Sequence, residues 1–313
     1  MAERIVWRIV ASLPVLALVA VIVFSLLFLA PGDPAAVLAG DQAGPEDIAR
    51  IRASLGLDQP FLTQFGRWIG GVLQGDLGHS VFSGRPVLDL IVQRLEPTLA
   101  LTVLALVLTV LIALPMGVFA AWRAGSAVDR VTMGFAVLGF SVPVFVLGYL
   151  LIAAFSVAAG AFPIQGYRPL REGIGPFLHH LALPAIALAM VNSALVARTT
   201  RAAMLEILGQ DYIRTARAKG LAPRQVLIGH ALPNAAIPIV TILGISLASL
   251  IGGVVVTETV FNIPGIGRLT VDAILRRDYP VIQGVILLSS AVYVFTNLLV
   301  DLSYGWFDPR IRA

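Results

Sequence analysis

The sequence contains no cysteine, so it offers no disulfide, no thiolate metal ligand and no thiol nucleophile. Only 13% of its 313 residues are charged, whereas about 25% is usual in soluble domains. Hydrophobic residues make up 58% of the chain. One core could not hide that many apolar side chains, so lipid must be the solvent for much of the surface. These proportions argue against a soluble globular domain.

Lysine occurs only once, at Lys219, and it follows an alanine. The phosphate-binding loop of ATPases is a glycine-rich turn that ends in Gly-Lys-Ser or Gly-Lys-Thr. Because the chain has no Gly-Lys pair, it cannot supply that loop, and we predict that it is not an enzyme. The four histidines, His79, His179, His180 and His230, lack the spacing of metal ligands, so we also predict no metal site.

Six stretches without Asp, Glu, Lys or Arg are long enough to cross about 30 Å of hydrocarbon. They cover residues 9–30, 97–121, 131–157, 177–197, 234–257 and 279–300. The first follows Arg4 and Arg8, as in a secretory signal, but its apolar run of 22 residues is too long for one. We therefore expect an uncleaved anchor and an all-α membrane protein with six transmembrane helices.

The basic residues are distributed as a topology signal. With the N-terminus inside, the inward segments hold 12 of them and the short outward loops hold 5. This asymmetry predicts that both termini lie in the cytoplasm. The net charge of +4 is spread over too much hydrocarbon to form a basic face, so no nucleic-acid partner is expected.

The outward loop after the first span carries its own helix signals. Proline and glycine bound helical runs at 45–56 and 60–75, and a third run at 86–96 meets Pro97 as an amphipathic elbow. One face of the second run is apolar, which suits packing on the membrane, on a partner or on the chain's own spans. That face comprises Phe61, Phe65, Trp68, Ile69 and Val72.

The inward loop 198–233 holds six of the twelve inward charges and is too polar to insert into the bilayer. Helical spacing predicts one helix over 205–219, which Gly220 ends, and a second that begins at Pro223 and runs to about Pro233. Two short helices folded at a glycine would form a compact knob, residues 205–233, that suggests a docking surface. A solvated loop whose arginines only enforce topology explains the same pattern.

The knob resembles the cytoplasmic coupling motif of binding-protein-dependent ABC importers. In that motif a Glu-Ala-Ala run, a glycine and a later Leu-Pro seat the permease in its ATPase. The pattern falls here on Arg214, Thr215, Ala216, Gly220, Leu232 and Pro233. Arginine in place of the glutamate is ordinary in the dipeptide, oligopeptide and nickel permeases, which the whole run from Tyr212 to Leu221 resembles.

Further stretches resemble the same family in the same order, at 28–34, 52–58, 75–78, 258–267, 277–280 and 308–312. The resemblance implies a type I ABC importer permease in the bacterial inner membrane that translocates dipeptides or oligopeptides. It implies three kinds of partner: a second permease, one or two cytosolic ATPases that bind ATP and magnesium, and an extracytoplasmic binding protein. No cofactor is implied in this chain. Similar permeases also carry nickel chelates, glutathione or peptide antibiotics.

This resemblance suggests a division of the chain into three parts. Residues 1–30 would form the cytoplasmic N-terminus and first anchor, and residues 31–96 an extracytoplasmic loop with short helices. Residues 97–313 would form a five-helix permease core that includes the coupling loop 198–233.

Polar side chains in the spans are the candidates for a translocation path, because a polar group facing lipid is costly. Hydrogen bonding between helices is the alternative role for them. The candidates are Asn192, Ser193, Ser246, Tyr293 and Asn297.

The turn at 258–267 is expected to be either a plain outward turn or a gate that touches the binding protein. The gate residues would be Glu258, Phe261, Pro264 and Gly265.

Other functions fit the sequence less well. A secondary transporter tends to carry coupling-ion carboxylates inside broken spans, whereas Asp and Glu here lie outside the span centres. An intramembrane enzyme would need a catalytic pair or a metal motif within a span. A potassium-type channel would need the filter sequence Thr-Val-Gly-Tyr-Gly, which does not occur.

The predicted orientation can be tested with protease. Added to sealed right-side-out vesicles, it should leave the 198–233 loop intact, because that loop is expected to lie in the cytosol. After the vesicles are opened, the same loop should be cut, and mass-spectrometric mapping of the fragments makes the comparison. Cleavage after Arg214 or Lys219 from the outside would contradict the orientation.

Overall fold

The computed structural model describes residues 2–29, 35–36, 44–54 and 56–307. The family-like stretch at 308–312, and most of the one at 28–34, therefore lie outside the described residues. Within the described part the regular structure is helical, with an isolated bridge between His79 and Pro86. The chain divides into two compact units.

The first helices in chain order are α1 Ala2–Leu29, α2 Pro45–Ser54, α3 Phe61–Leu73, α4 Val87–Trp122, α5 Ala127–Ser141 and α6 Val144–Leu151. They are followed by α7 Ile174–Leu208, α8 Asp211–Ala218, α9 Pro223–Asn234, α10 Ala236–Val260, α11 Ile266–Arg276 and α12 Tyr279–Phe307. Two segments are π-helical, the continuation of α6 over Ile152–Ala158 and the middle of α9 over Val226–Ala231.

Four helices in the described part are long and apolar enough to cross a membrane by themselves. They lie at Val10–Leu29, Val87–Trp122, Ile174–Leu208 and Tyr279–Leu302. Two bent pairs also pass when each is taken as one span, α5 with α6 and α9 with the first part of α10. Counted in this way the described part has up to six spans by length and composition, the number that the sequence predicts, although the second pair takes in α9 of the loop expected in the cytosol.

The break between α5 and α6 lies at Val142 and Pro143. A proline disfavours the helical backbone in the residue before it, and Val142 is extended, with φ −93° and ψ 122°. The two helices meet at an angle of 102°. The predicted span at 131–157 is therefore a bent pair of helices.

The elbow predicted at Pro97 is absent, because α4 runs without interruption from Val87 to Trp122. Pro97 and Pro115 both lie inside this helix. A proline removes one backbone donor, but membrane helices tolerate the loss where neighbouring groups satisfy the freed carbonyl. The amphipathic run 86–96 and the second span thus belong to one helix.

One unit comprises residues 2–95 and 268–294. Its helices α1 and α3 pack through aromatic rings. The Phe24 ring centroid lies 5.3 Å from that of Phe61, 5.4 Å from that of Phe65 and 5.2 Å from that of Trp68. Of the three alternatives for the apolar face of α3, the structure therefore shows packing on the chain's own first span.

A buried carboxylate connects distant segments of the same unit. The Ser80 hydroxyl donates to Asp278 Oδ2 at 2.5 Å, and the Val81 N–H donates to Asp278 Oδ1 at 3.1 Å. Both Ser80 and Asp278 are buried. Hydrogen bonds to a charged group are the strong ones, so they hold the segment before α4 against the start of α12.

The other unit comprises residues 96–267 and those from 295 onward. Helix α7 is its centre, and α5, α6 and α10 all pack on it. The core beside α7 includes Leu181 and Leu188 together with Leu101, Leu250 and Phe261 from other segments.

The aromatic contact between α1 and α3 gives a stability prediction. Replacing the buried ring by Phe24→Ala should lower the free energy of unfolding by about 3–5 kcal/mol, because it leaves a cavity beside three aromatic partners. Leu18→Ala is the matched control, since Leu18 lies on the same helix and is 61% exposed. Thermal unfolding of the detergent-solubilised protein makes the comparison. Equal losses for the two variants would contradict the packing described.

Candidate functional site

The knob consists of α8 and α9, which follow the end of α7. The single helix predicted over 205–219 is divided, since α7 ends at Leu208 and α8 begins at Asp211. The Gly209 N–H still donates to the Leu205 carbonyl at 3.2 Å, but Gln210 is extended, with φ −74° and ψ 149°. The chain therefore has an additional break at Gln210, ten residues before the one that the sequence predicts at Gly220.

Gly220 ends α8 in the way that the sequence predicts. Its φ of 79° is left-handed, a conformation that residues with a Cβ adopt at a cost. Its N–H donates to the Arg217 carbonyl at 2.9 Å, and the Leu221 N–H donates to the Ala216 carbonyl at 3.4 Å. These two bonds form a Schellman motif, which satisfies carbonyl groups at the helix end.

The inner side of the knob is apolar. Ile213 is fully buried and Ala216 nearly so, although Arg214 and Thr215 between them are exposed. The buried side chains pack with others from the ends of α4, α7 and α10. That cluster comprises Ala121, Ala203, Met204, Ile213, Ala216, Val226, Leu227, Ala231, Ala235 and Ile239. The knob is therefore packed onto the spans and is not a tethered loop.

The outer side of the knob is cationic. The exposed basic residues are Arg214, Arg217, Lys219 and Arg224. Arg214 Nη1 lies 3.2 Å from Asp211 Oδ1, but both side chains are so exposed that this pair adds little stability. Of the other residues in the family-like motif, Pro233 is exposed and Leu232 is half-buried.

The turn at 258–267 is built around a buried carboxylate. Glu258 is 0% exposed, and its Oε1 accepts a hydrogen bond from Thr98 Oγ1 at 2.6 Å. Thr98 Oγ1 in turn accepts from the Ile266 N–H at 2.8 Å. A Cβ at Gly265 would overlap with the Glu258 carboxylate, so the turn closes tightly around it. Glu258 therefore fixes the turn internally.

A second loop is attached beside this turn. The Gly166 N–H donates to the Phe261 carbonyl at 2.9 Å, and Phe261 is buried. Glu96 Oε1 accepts from the Tyr167 hydroxyl at 3.0 Å and from the Leu170 N–H at 3.1 Å. Burial and the Glu96 carboxylate raise the pKa of the Tyr167 phenol, so Tyr167 stays a donor at neutral pH.

Thr98 and Glu96 were not predicted from the sequence, because their local pattern carries no signal for a distant partner. They stand at the start of an apolar stretch, and their partners lie 160 and 71 residues further along the chain. Proximity to Pro97 was the only signal available. Pro264 is exposed, whereas Glu258, Phe261 and Gly265 are buried.

The predicted path residues lie in different environments. Ser193 and Ser246 are buried on α7 and α10, and neither hydroxyl has a hydrogen-bond partner among the described residues. Asn192 Nδ2 donates to the Leu188 carbonyl of its own helix at 2.9 Å. Tyr293 and Asn297, both on α12, are exposed. The path itself therefore stays a prediction.

Three of the histidine rings lie against backbone carbonyls. His179 Nε2 is 2.8 Å from the Ala161 carbonyl, His180 Nδ1 is 2.9 Å from that of Pro176, and His230 Nδ1 is 3.2 Å from that of Gln225. No three His, Cys, Asp or Glu side chains in the described part of the chain are grouped closely enough to hold a metal ion.

Comparison with known families identifies the kind of protein in which this arrangement occurs. Residues 113–313 match the family described as binding-protein-dependent transport system inner membrane component. Residues 1–102 match the corresponding N-terminal family of membrane components. The chain belongs to this family. It is accordingly a multi-pass permease of the bacterial inner membrane.

Curated relatives match the permease over its whole length. It is 53% identical to a probable peptide ABC transporter permease, y4tP of Sinorhizobium fredii, over 312 residues and all of both chains. It is 44% identical to the glutathione transport permease GsiC of Escherichia coli O6:H1 over 313 residues, all of this chain and 99% of the relative. It is 40% identical to the dipeptide transport permease DppB of Escherichia coli K12 over 336 residues, with the same coverage.

A solved structure is similar to the permease in fold. An inward-facing structure of the MetNI methionine ABC transporter contains a chain that aligns with a TM-score of 0.59 and 22% identity. The alignment covers 70% of this chain and 96% of that one. At this identity the likeness concerns the fold alone, which is that of a type I ABC importer permease.

The contacts of the buried glutamate give a prediction for this permease. Thr98→Val keeps the shape of the side chain but removes both the donor to Glu258 and the acceptor of the Ile266 N–H. We expect a loss of about 1–3 kcal/mol in stability, because two buried polar groups lose a partner. Thr259→Val is the control, since the exposed Thr259 hydroxyl bonds only within α10, to the Val255 carbonyl. The two variants are compared by thermal unfolding. A Thr259→Val variant that unfolds at a lower temperature than Thr98→Val would contradict this account.

Proposed function

We propose that the permease moves dipeptides or oligopeptides across the inner membrane as one subunit of an ABC importer. The observation that carries the proposal is whole-length similarity to permeases named for peptide and dipeptide transport, at 53% and 40% identity. An extracytoplasmic binding protein would deliver the peptide. Separate subunits would hydrolyse ATP, since this chain lacks a Gly-Lys pair for a phosphate-binding loop.

In this proposal the knob is the surface that meets the ATPase. Arg214, Thr215 and Pro233 are exposed and available for contact, while Ala216 holds α8 on the apolar cluster beneath it. Gly220 closes α8, and Leu232 lies at the edge of the same cluster. Because the knob is packed onto α7 and α10, a movement of the ATPase would displace those spans with it. ATP and magnesium would be bound in the ATPase.

The remaining partners follow from the same proposal. A second permease would complete the translocation path, so Tyr293 and Asn297 would face the path or this partner. The 258–267 turn would act as the gate on the binding-protein side, where only Pro264 of the four predicted gate residues is exposed. Glu258, Phe261 and Gly265 would keep the shape of the turn.

Glutathione is the second candidate substrate. The relative named for glutathione transport is 44% identical to this chain, between the two values for the peptide permeases. Glutathione is itself a tripeptide, so a permease with a peptide path could accommodate it. Selection between the two substrates would then belong to the binding protein.

Uptake by the reconstituted importer tests the proposal. Proteoliposomes that contain both permeases and the ATPases, with the binding protein outside, should take up labelled dipeptide when ATP is enclosed. Glutathione and a nickel chelate serve as competing substrates, and a non-hydrolysable ATP analogue serves as the control. Uptake that follows a proton or sodium gradient without nucleotide would instead indicate a secondary carrier.

The turn at Gly220 gives a graded prediction. A Cβ there would meet no atom within 4 Å, so only the left-handed backbone limits substitution. Gly220→Val should reduce ATP-driven uptake by about tenfold or more, because the strained conformation costs about 1–3 kcal/mol. Gly220→Asn should retain more activity, since asparagine tolerates this conformation. Uptake is normalised to the amount of inserted protein, and wild-type uptake by Gly220→Val would contradict the role of the knob.

A further inference from the structure

Asp129 and Arg201 form an ion pair between α5 and α7. Arg201 Nε donates to Asp129 Oδ1 at 2.5 Å, and Arg201 Nη2 donates to Asp129 Oδ2 at 2.7 Å. Asp129 is only 5% exposed. A bidentate pair of this kind is both strong and directional, so it fixes the orientation of the two side chains.

The carboxylate also organises the first turn of α5. The Gly125 N–H donates to Asp129 Oδ2 at 2.9 Å, and the Ser126 hydroxyl caps the helix by accepting from the Asp129 N–H. Arg130 Nη1 donates to the Gly125 carbonyl at 2.9 Å. Asp129 is thus part of a rigid turn, and Arg201 holds that whole turn.

On the other side of the pair, Arg201 precedes the part of α7 that packs with the knob. Ala203 and Met204, two and three residues further along α7, are packed in the cluster that holds Ile213 and Leu227 of the knob. A displacement of the knob would therefore move the end of α7, and Arg201 with it.

The bent pair α5–α6 extends from Asp129 to the 258–267 turn. Beyond the break at Pro143, α6 passes close to that turn at Gly148. A Cβ at Gly148 would lie 3.2 Å from the Phe261 ring and 3.3 Å from the Val260 side chain. A continuous series of contacts thus leads from the knob through the ion pair and α6 to the predicted gate.

We propose that the Asp129–Arg201 pair is the contact that transmits a movement of the knob to α5, α6 and the 258–267 turn. Both residues are positioning residues, which contact neither nucleotide nor substrate. The proposal rests on the proposed function, because it assumes that a partner moves the knob. Apolar packing between α5 and α7 is the competing route for the same motion.

The test uses the whole reconstituted importer with Asp129→Asn, Arg201→Lys and the swapped pair Asp129→Arg with Arg201→Asp. Peptide uptake per ATP hydrolysed is one readout, and stimulation of ATPase activity by the binding protein is the other. Arg123→Gln is the matched control, because Arg123 is an exposed cation close to the turn, and its side chain lies over the Trp122 ring. The amount of assembled complex is measured for every variant.

We expect Asp129→Asn to lower uptake per ATP by about tenfold and to abolish stimulation by the binding protein, while the ATPases still copurify. Arg201→Lys should give a smaller loss, because lysine keeps the charge but cannot bind both oxygens in a fork. The swapped pair should recover part of the coupling, because it restores the ion pair but not the acceptor of the Gly125 N–H, and Arg123→Gln should match the wild type.

Wild-type coupling in the assembled Asp129→Asn and Arg201→Lys complexes would overturn the proposal and favour apolar packing as the route. If Asp129→Asn fails to assemble, Arg201→Lys decides by the same criterion. A wild-type importer that takes up no peptide would contradict the proposed substrate class. In that case stimulation of ATPase activity by the binding protein still tests the role of the Asp129–Arg201 pair, since this readout does not depend on which substrate is carried.

Discussion

Helix α7 is the element on which the 96–267 unit depends. In its most apolar stretch of 18 residues, 61% of the residues are buried inside the protein. The corresponding stretches of the other three long helices in the described part are 11–28% buried. Many of its buried residues are alanines, including Ala185, Ala189 and Ala197, so the neighbouring helices can approach it closely. In lipid, close van der Waals packing of this kind holds helices together, since the hydrophobic effect gives no preference for protein over acyl chains. Because α7 continues to Leu208, it also connects the span region to the knob.

Three buried carboxylates in the described part of the chain join distant segments. Glu258 with Thr98, Asp278 with Ser80, and Asp129 with Arg201 each connect residues separated by 72 to 198 positions. A charged group in an environment of low dielectric makes strong hydrogen bonds and is costly if left without them. These contacts therefore specify one arrangement of helices that are otherwise apolar and could pack in several ways. Exposed pairs such as Arg168 with Glu172 add little, because water screens them.

Polar contacts that join distant segments suit a protein whose role is to transmit movement. The proposed function assigns ATP hydrolysis to other subunits and substrate selection chiefly to the binding protein. The permease must then transmit movement between its two sides. The knob is packed onto α7, the turn is closed around Glu258, and Pro143 divides one of the elements between them.

Much of the local structure could be predicted because proline, glycine and apolar length act within a few residues of the chain. Gly56, Gly75 and Gly220 are left-handed and follow the ends of α2, α3 and α8, as the helix-end signals predict. The six spans follow from apolar length alone, and family membership follows from motifs scattered along the chain. The bend at Pro143 was missed although its signal is local, because counting charges finds the length of a span but not a break within it.

The sequence by itself therefore determined most of the helices and several of their ends, since these depend on neighbouring residues, and its scattered motifs determined the family. Only the tertiary structure decided that α3 packs on α1, that Glu258 is buried against Thr98, and that Asp129 binds Arg201. The physical reason is that these contacts join segments far apart in the chain, and their geometry depends on how whole helices pack. Helical periodicity places an acidic residue on a face of its own helix but carries no information about which distant side chain will meet it.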